Sequence, residues 1–145
     1  MVRRRTVFTL IPKDEDFKEI YNDSIKETCN ELGAKCERLD EALFDDASKC
    51  NTLSKISGAD LVIAHMSGSN PDVAFKAGYA KGLNKKMILL SSKEGDIPQD
   101  LSDSKHIVYS GDVESLKKEL EKEISESLEE KDKRDDEILW NKLMM

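Results

Sequence analysis

The stretch from Asp60 to Tyr79, DLVIAHMSGSNPDVAFKAGY, constrains the fold more than any other part of the chain. Its apolar run, Leu61 to Ala64, is followed by a small polar loop and indicates a strand buried on both faces, which is typical of a parallel sheet. Pro71 suits the first helical position, where no hydrogen bond is lost, and Ser69 or Asn70 can cap the helix. The stretch therefore predicts a strand, a tight turn and a helix.

The same alternation of strands and helices continues along most of the chain. It predicts an α/β fold with a doubly wound, mostly parallel sheet of about five strands and helices on both faces, as in flavodoxin-like domains. The predicted strands are Thr6 to Ile11, Ala34 to Leu39, Leu61 to Ala64, Met87 to Leu90 and His106 to Tyr109, and the predicted helices are Phe17 to Leu32, Ser48 to Ser57 and Pro71 to Gly82.

A long helix is predicted after Gly111, because no proline or glycine follows that residue. We assign residues 1–111 to the α/β domain and residues 112–145 to an acidic helix that completes the domain or docks on a partner subunit. The ending ILWNKLMM lies beyond nine consecutive charged residues, so it can dock on a neighbouring subunit, fray, or fold back. The apolar seam of this helix consists of Val113, Leu116, Leu120, Ile124 and Leu128.

Composition excludes several classes of protein. The net charge of −7 without a basic face gives no electrostatic reason to bind duplex nucleic acid. No apolar run approaches the roughly 18 residues of a membrane span, and the basic start lacks a signal-peptide cleavage site. Cys29, Cys36 and Cys50 fit no metal spacing. We therefore expect a reduced, cytoplasmic protein without membrane contact, bound metal or cofactor.

Polar residues near the carboxyl end of the central strand form a candidate site. In open α/β sheets, ligands bind beyond the carboxyl ends of the strands, where the loop from Ser67 to Asn70 is predicted to lie. Asp72 falls in the first turn of the helix, where the helix dipole favours an anion. Its carboxylate can accept a hydrogen bond from a hydroxyl group. Asp72 and Lys76 have the spacing and order of a favourable ion pair on a helix surface.

Three features of the sequence are typical of one known family: a first strand that ends in Ile11 and Pro12, the strand ADLVIAH and the segment NPDVAFKAGYAKGLNKKMILL. In these features the sequence resembles the nucleoside 2-deoxyribosyltransferase-like family, which is related to the TIR-like fold. The resemblance covers residues 5 to 110. It implies a domain that binds a nucleoside or nucleotide and, in active members, breaks the N-glycosidic bond. There, a glutamate before the Gly-Tyr-Ala element attacks the sugar, and an aspartate ends the third strand. This chain has Lys76 and His65 at those two positions.

These substitutions define the candidate catalytic residues, His65, Asp72 and Lys76. A protonated lysine repels the oxocarbenium ion that a carboxylate stabilises, so Lys76 could react only if burial lowered its pKa. His65 could donate to a ribose hydroxyl or act as a general acid near neutral pH, or it could simply cap a buried strand. The candidate ligand-binding residues are Ile11, Pro12, Ser67, Gly68, Ser69, Asn70, Tyr79 and Ser91.

Three functional hypotheses follow from the sequence. The first is a nucleoside- or nucleotide-binding protein with degraded catalytic residues that senses, sequesters or regulates. The second is an active N-glycosidase or deoxyribosyltransferase that uses another carboxylate, such as Asp72, Asp14 or Asp16. The third is a protein-interaction or assembly module with a vestigial crevice. In each case we expect a homo-oligomer.

Overall fold

Short apolar and β-branched runs form the sheet. The structure, a computed structural model, describes residues 4–12, 20–38, 48–109 and 112–144. Within these ranges five strands pair side by side, all in parallel, in the order β2-β1-β3-β4-β5. The strands are β1 (Thr6–Leu10), β2 (Lys35–Arg38), β3 (Leu61–His65), β4 (Met87–Ser91) and β5 (Lys105–Val108).

Helices connect most of these strands. Within the described residues, the first helix, α1, contains a π-helical segment, Tyr21–Lys26, and continues as an α-helix over Glu27–Glu31. Its end is followed by Gly33, whose φ of 75° is readily adopted by glycine. The other helices are α2 (Ser48–Gly58), α3 (Pro71–Gly82) and α4 (Val113–Met144), and short 3₁₀ turns cover Ser67–Ser69, Glu94–Asp96 and Gln99–Leu101.

Two apolar layers cover the faces of the sheet. In β3, Leu61 and Ile63 pack with α1 and α4, whereas Val62 and Ala64 pack with α2 and α3. This alternation follows from the two-residue period of a strand, and burial on both faces explains why the run is entirely apolar. The predicted doubly wound α/β fold with a long C-terminal helix is therefore confirmed.

Element boundaries differ from the prediction by one residue in several places. β1 ends at Leu10 rather than Ile11, β4 extends to Ser91, and β5 is shifted to begin at Lys105. Such differences are expected, because the hydrogen bonds that end a strand depend on its neighbours. Phe17 and Leu39, where we predicted a helix to begin and a strand to end, lie outside the described residues.

The strand order fixes where a ligand site is expected. The chain leaves β1 toward β2 on one side and returns to β3 on the other side of β1. In this topology the connections after β1 and β3 run to opposite faces of the sheet and leave a crevice beyond the carboxyl ends of the two strands.

Candidate functional site

A pocket of about 230 Å³ lies in the crevice at the carboxyl ends of β1 and β3. One wall comes from the end of β1 and the residues after it, and the other from the first turns of α3. The wall from β1 is mainly apolar, and the wall from α3 carries an amide, a carboxylate and an amine. The lining residues are Leu10, Ile11, Pro12, Asn70, Asp72, Val73 and Lys76.

Asn70 builds the wall by capping α3. Its Oδ1 accepts hydrogen bonds from the backbone N–H groups of Asp72 at 2.9 Å and Val73 at 3.2 Å. Pro71 follows at the first helical position. This arrangement confirms the predicted cap and directs the start of α3 toward the end of β1.

Lys76 and Asp72 form an ion pair at the pocket. The Lys76 Nζ lies 2.7 Å from Asp72 Oδ2, one helical turn away, and both residues line the cavity. The Lys76 side chain is only 15% exposed, whereas that of Asp72 is 69% exposed. The predicted ion pair is confirmed, but it lies at the crevice rather than on a remote solvent-facing surface. The amine therefore lines the pocket while Asp72 balances its charge.

His65 is buried and does not line the pocket. Its Nε2 is hydrogen-bonded to the Tyr109 hydroxyl, and the two rings meet edge to face with centroids 5.7 Å apart. Burial lowers the pKa of His65 from 6.5 to about 4, because removal from water disfavours the imidazolium. The ring is therefore neutral near pH 7, and this geometry favours a strand-capping role over general-acid chemistry at that pH.

The Ser67–Ser69 turn faces the loop after β4 instead of the pocket. Ser67 Oγ accepts a 2.8 Å hydrogen bond from the backbone N–H of Ser92. The Gly68 N–H and the Ser69 hydroxyl donate to the two carboxylate oxygens of Asp96, at 3.1 and 3.4 Å. Gly68 has a φ of 79°, which glycine adopts without a steric penalty. The turn is therefore held by the neighbouring loop.

The remaining predicted site residues lie apart from the pocket. Tyr79 is half-buried and packs against the apolar layer that includes α3. Ser91 is buried at the end of β4, where its hydroxyl donates to the Lys93 carbonyl at 2.5 Å. Asp14 and Asp16 lie outside the described residues. Of the predicted residues, the pocket brings together Ile11, Pro12, Asn70, Asp72 and Lys76.

Sequence reasoning missed several residues that shape this region. Val73 and Leu10 line the pocket but look like ordinary core positions in a helix and a strand. Tyr109 and Asp96 hold His65 and the Ser67–Ser69 turn across long sequence separations, so no local pattern pointed to them. Helical periodicity could have predicted Val73, because it lies three residues before Lys76 and therefore on the same side of α3.

The described residues contain no group of three or more histidine, cysteine, aspartate or glutamate side chains that could hold a metal ion. Across the same ranges, no helix combines the length and apolar character needed to cross a membrane. The residues that line the pocket supply an ion pair, an amide and an apolar wall.

The fold and the pocket define a doubly wound parallel α/β domain with a pocket at the topological switch point. Among solved structures, it is similar to a CMP N-glycosidase from Clostridium botulinum, with 21% identity and a TM-score of 0.64 over 79% of this chain and 96% of that one. It is also similar to a 2-deoxyribosyltransferase from Bacillus psychrosaccharolyticus, with 17% identity and a TM-score of 0.60 over 77% and 90% of the two chains.

A de novo designed Rossmann 2x3 protein is similar as well, with 16% identity and a TM-score of 0.55 over 86% of this chain and 91% of the design. Neither the protein-family models nor the curated proteins contain a match to the sequence. These likenesses show a shared fold, and because a designed protein shares it too, function must be argued from the site.

Proposed function

We propose that this protein binds a nucleoside or nucleotide in the pocket between β1 and α3 and does not cleave it through a carboxylate nucleophile. The observation that carries the proposal is the Lys76–Asp72 ion pair in that pocket. In the family that the sequence resembles, a glutamate stands at the position of Lys76. The protein would then sense, sequester or regulate rather than turn over its ligand.

The charge of Lys76 argues against classical glycosyl transfer. A carboxylate nucleophile forms a covalent bond to the anomeric carbon and stabilises the positive charge that develops on the sugar. An ammonium group has no lone pair to donate and repels that charge. Its partner Asp72 is held by the ion pair, where its second oxygen is available to accept a hydroxyl hydrogen bond.

The size of the pocket supports partial enclosure of a nucleoside. Its volume of about 230 Å³ is below the range of roughly 300–1,000 Å³ that is usual for pockets that enclose a drug-sized ligand. The pocket therefore suits one ring of the ligand, with the apolar wall of Ile11 and Pro12 against a flat face and the polar wall against hydroxyl groups. The structural neighbours named as a CMP N-glycosidase and a 2-deoxyribosyltransferase support this choice of ligand class.

A ligand panel tests the binding proposal. Thermal melting is measured with nucleosides, nucleoside monophosphates and dinucleotides. A true ligand at 100 times its Kd should add about 2.7 kcal/mol to the free energy of unfolding and raise the Tm. Lys76→Met and Asp72→Asn should each weaken binding by roughly tenfold or more, because a charge-assisted contact is lost. The absence of a shift with every ligand would refute the proposal.

A matched variant and a product assay complete the test. Lys117→Met removes another lysine that is paired with a glutamate, Glu27 at 2.7 Å, but lies on the other face of the sheet and should leave binding unchanged. Chromatography of the same mixtures should detect no free base. Base release that Asp72→Asn abolishes would instead identify an active N-glycosidase that uses Asp72.

A further inference from the structure

A second cavity lies at the opposite end of the sheet, beside the amino ends of the strands. It has a volume of about 150 Å³ and adjoins a more open cleft of about 600 Å³. Four of its lining side chains are cationic and come from two separate parts of the chain, the turn after α3 and the middle of α4. The residues that line it are Ala59, Asp60, Leu83, Asn84, Lys85, Lys86, Lys131 and Arg134.

Local carboxylates neutralise only two of these four cations. Lys86 pairs with Glu130, and Lys131 pairs with Asp135 at 3.2 Å. By contrast, none of the carboxylates in the described ranges pairs with Lys85 or Arg134.

The acidic residue in the cavity wall compensates for only part of this excess. Asp60 Oδ2 accepts a 2.9 Å hydrogen bond from the Thr6 N–H, and its Oδ1 lies 3.5 Å from Arg5 Nη1. The Asp60 charge remains in the cavity wall, because Arg5 is shared with Asp132 and Asp135. Four lining cations lie beside three carboxylates, Asp60, Glu130 and Asp135, so the cavity has an excess of one positive charge, although the chain as a whole has a net charge of −7.

The end of α3 explains only part of this arrangement. A lysine just beyond a helix end is favoured by the helix dipole, and Lys85 Nζ donates to the Ala59 carbonyl at 3.2 Å. That effect gives no reason for Arg134 of α4 to line the same cavity. Two like charges around one small cavity repel each other, and a bound anion would remove that repulsion.

We propose that this cavity is a binding site for a phosphoryl group, with Lys85 and Arg134 as its principal ligands. A guanidinium can donate two parallel hydrogen bonds to phosphate oxygens, and a lysine adds a compact point charge. A cavity of about 150 Å³ suits a group of this size. The site is separate from the pocket between β1 and α3 and does not depend on the function proposed for that pocket.

Isothermal titration calorimetry with inorganic phosphate and pyrophosphate, at low ionic strength, tests the proposal. The wild type should bind at least one of these anions. Lys85→Gln combined with Arg134→Gln should lower the affinity at least about tenfold, because charge-assisted hydrogen bonds are lost. Each single substitution should give an intermediate loss, and circular dichroism checks that every variant is folded.

Two controls separate this site from general charge effects and from the first pocket. Lys118→Gln combined with Lys122→Gln removes two exposed cations elsewhere on α4 and should leave anion binding unchanged. Lys76→Met should also leave it unchanged. The proposal would be overturned by an equal loss of affinity in the Lys118/Lys122 variant or by loss of binding in Lys76→Met. It would also be overturned if the Lys85/Arg134 variant bound the anions as tightly as the wild type, or if the protein bound a single-stranded oligonucleotide but neither small anion.

Discussion

Lys76 combines two positions that the sequence alone left as alternatives. The sequence allowed an amine in the crevice or an amine paired with Asp72 on a surface. The structure contains both, because α3 begins at the crevice and its first two turns form the wall. Whether the pair binds a ligand hydroxyl is the question that Asp72→Asn and Lys76→Met address.

His65 leads to a prediction about pH. Its pKa is lowered to about 4 by burial, so the folded protein does not take up the proton that the unfolded chain binds below about pH 6.5. The free energy of unfolding should therefore fall as the pH decreases from 6.5 toward 4, by about 2 kcal/mol at pH 5, and this residue should contribute nothing above pH 7. Urea unfolding at pH 7.5 and pH 5 measures the difference.

A double variant isolates the contribution of the buried pair. His65→Leu combined with Tyr109→Phe replaces both hydrogen-bonded partners with apolar groups, so neither is left unsatisfied. In this variant the loss of about 2 kcal/mol between pH 7.5 and pH 5 should disappear. An unchanged loss would mean that groups other than His65 cause the acid sensitivity.

At the scale of single elements, α4 is divided into three sections with different contacts. Its first half packs on the sheet through Leu116, Leu120, Ile124 and Leu128. The middle is attached by ion pairs, among them those of Lys86 with Glu130 and of Arg5 with Asp132. The apolar side chains of the last turns are exposed. Exposed ion pairs contribute little, so the first half should supply most of the helix's contribution to stability.

Alanine substitutions on the same helix test that division. Leu120 is fully buried, so Leu120→Ala should lower the free energy of unfolding by roughly 2–5 kcal/mol. Leu139 is 57% exposed, so Leu139→Ala should change it by less than about 0.5 kcal/mol. Urea denaturation of both variants gives the comparison, and similar losses in the two would contradict the division.

For the whole molecule, the exposed end of α4 leads to a prediction about assembly. Several large apolar side chains are exposed within two turns, which is unusual for a monomer surface and typical of an interaction site. We propose that this end contributes to a homo-oligomer. The side chains are Ile138, Leu139, Trp140, Leu143 and Met144.

Truncation after Glu137 tests the assembly proposal. The 145-residue chain, of 16.4 kDa, should form an assembly of two or more subunits, and the truncated chain should form one with fewer subunits. Because the removed side chains within the described part of the tail are exposed, the Tm of the separated subunit should change little. Native mass spectrometry measures both species, and equal subunit numbers would count against a role for this end in assembly.

The folded molecule has a local excess of positive charge that its amino-acid composition does not indicate. The sequence is acidic overall, and we expected no basic face from its net charge. Folding nevertheless brings Lys85 and Arg134 to one cavity, because the end of α3 and the middle of α4 meet beside the amino ends of the strands. Net charge sums over the chain and cannot report this local excess.

The sequence by itself determined the features that depend on neighbours along the chain. Alternating apolar runs and helical spacing predicted the parallel sheet and its helices, Asn70 and Pro71 predicted the start of α3, and a four-residue spacing predicted the Lys76–Asp72 pair. Only the tertiary structure decided that the end of β1 forms the opposite wall of the pocket, that Tyr109 meets His65 from 44 residues away, and that Asp96 holds the Ser67–Ser69 turn. The physical reason is that helix and strand periodicity are local properties, whereas strand order and the meeting of loops are set by packing between distant segments.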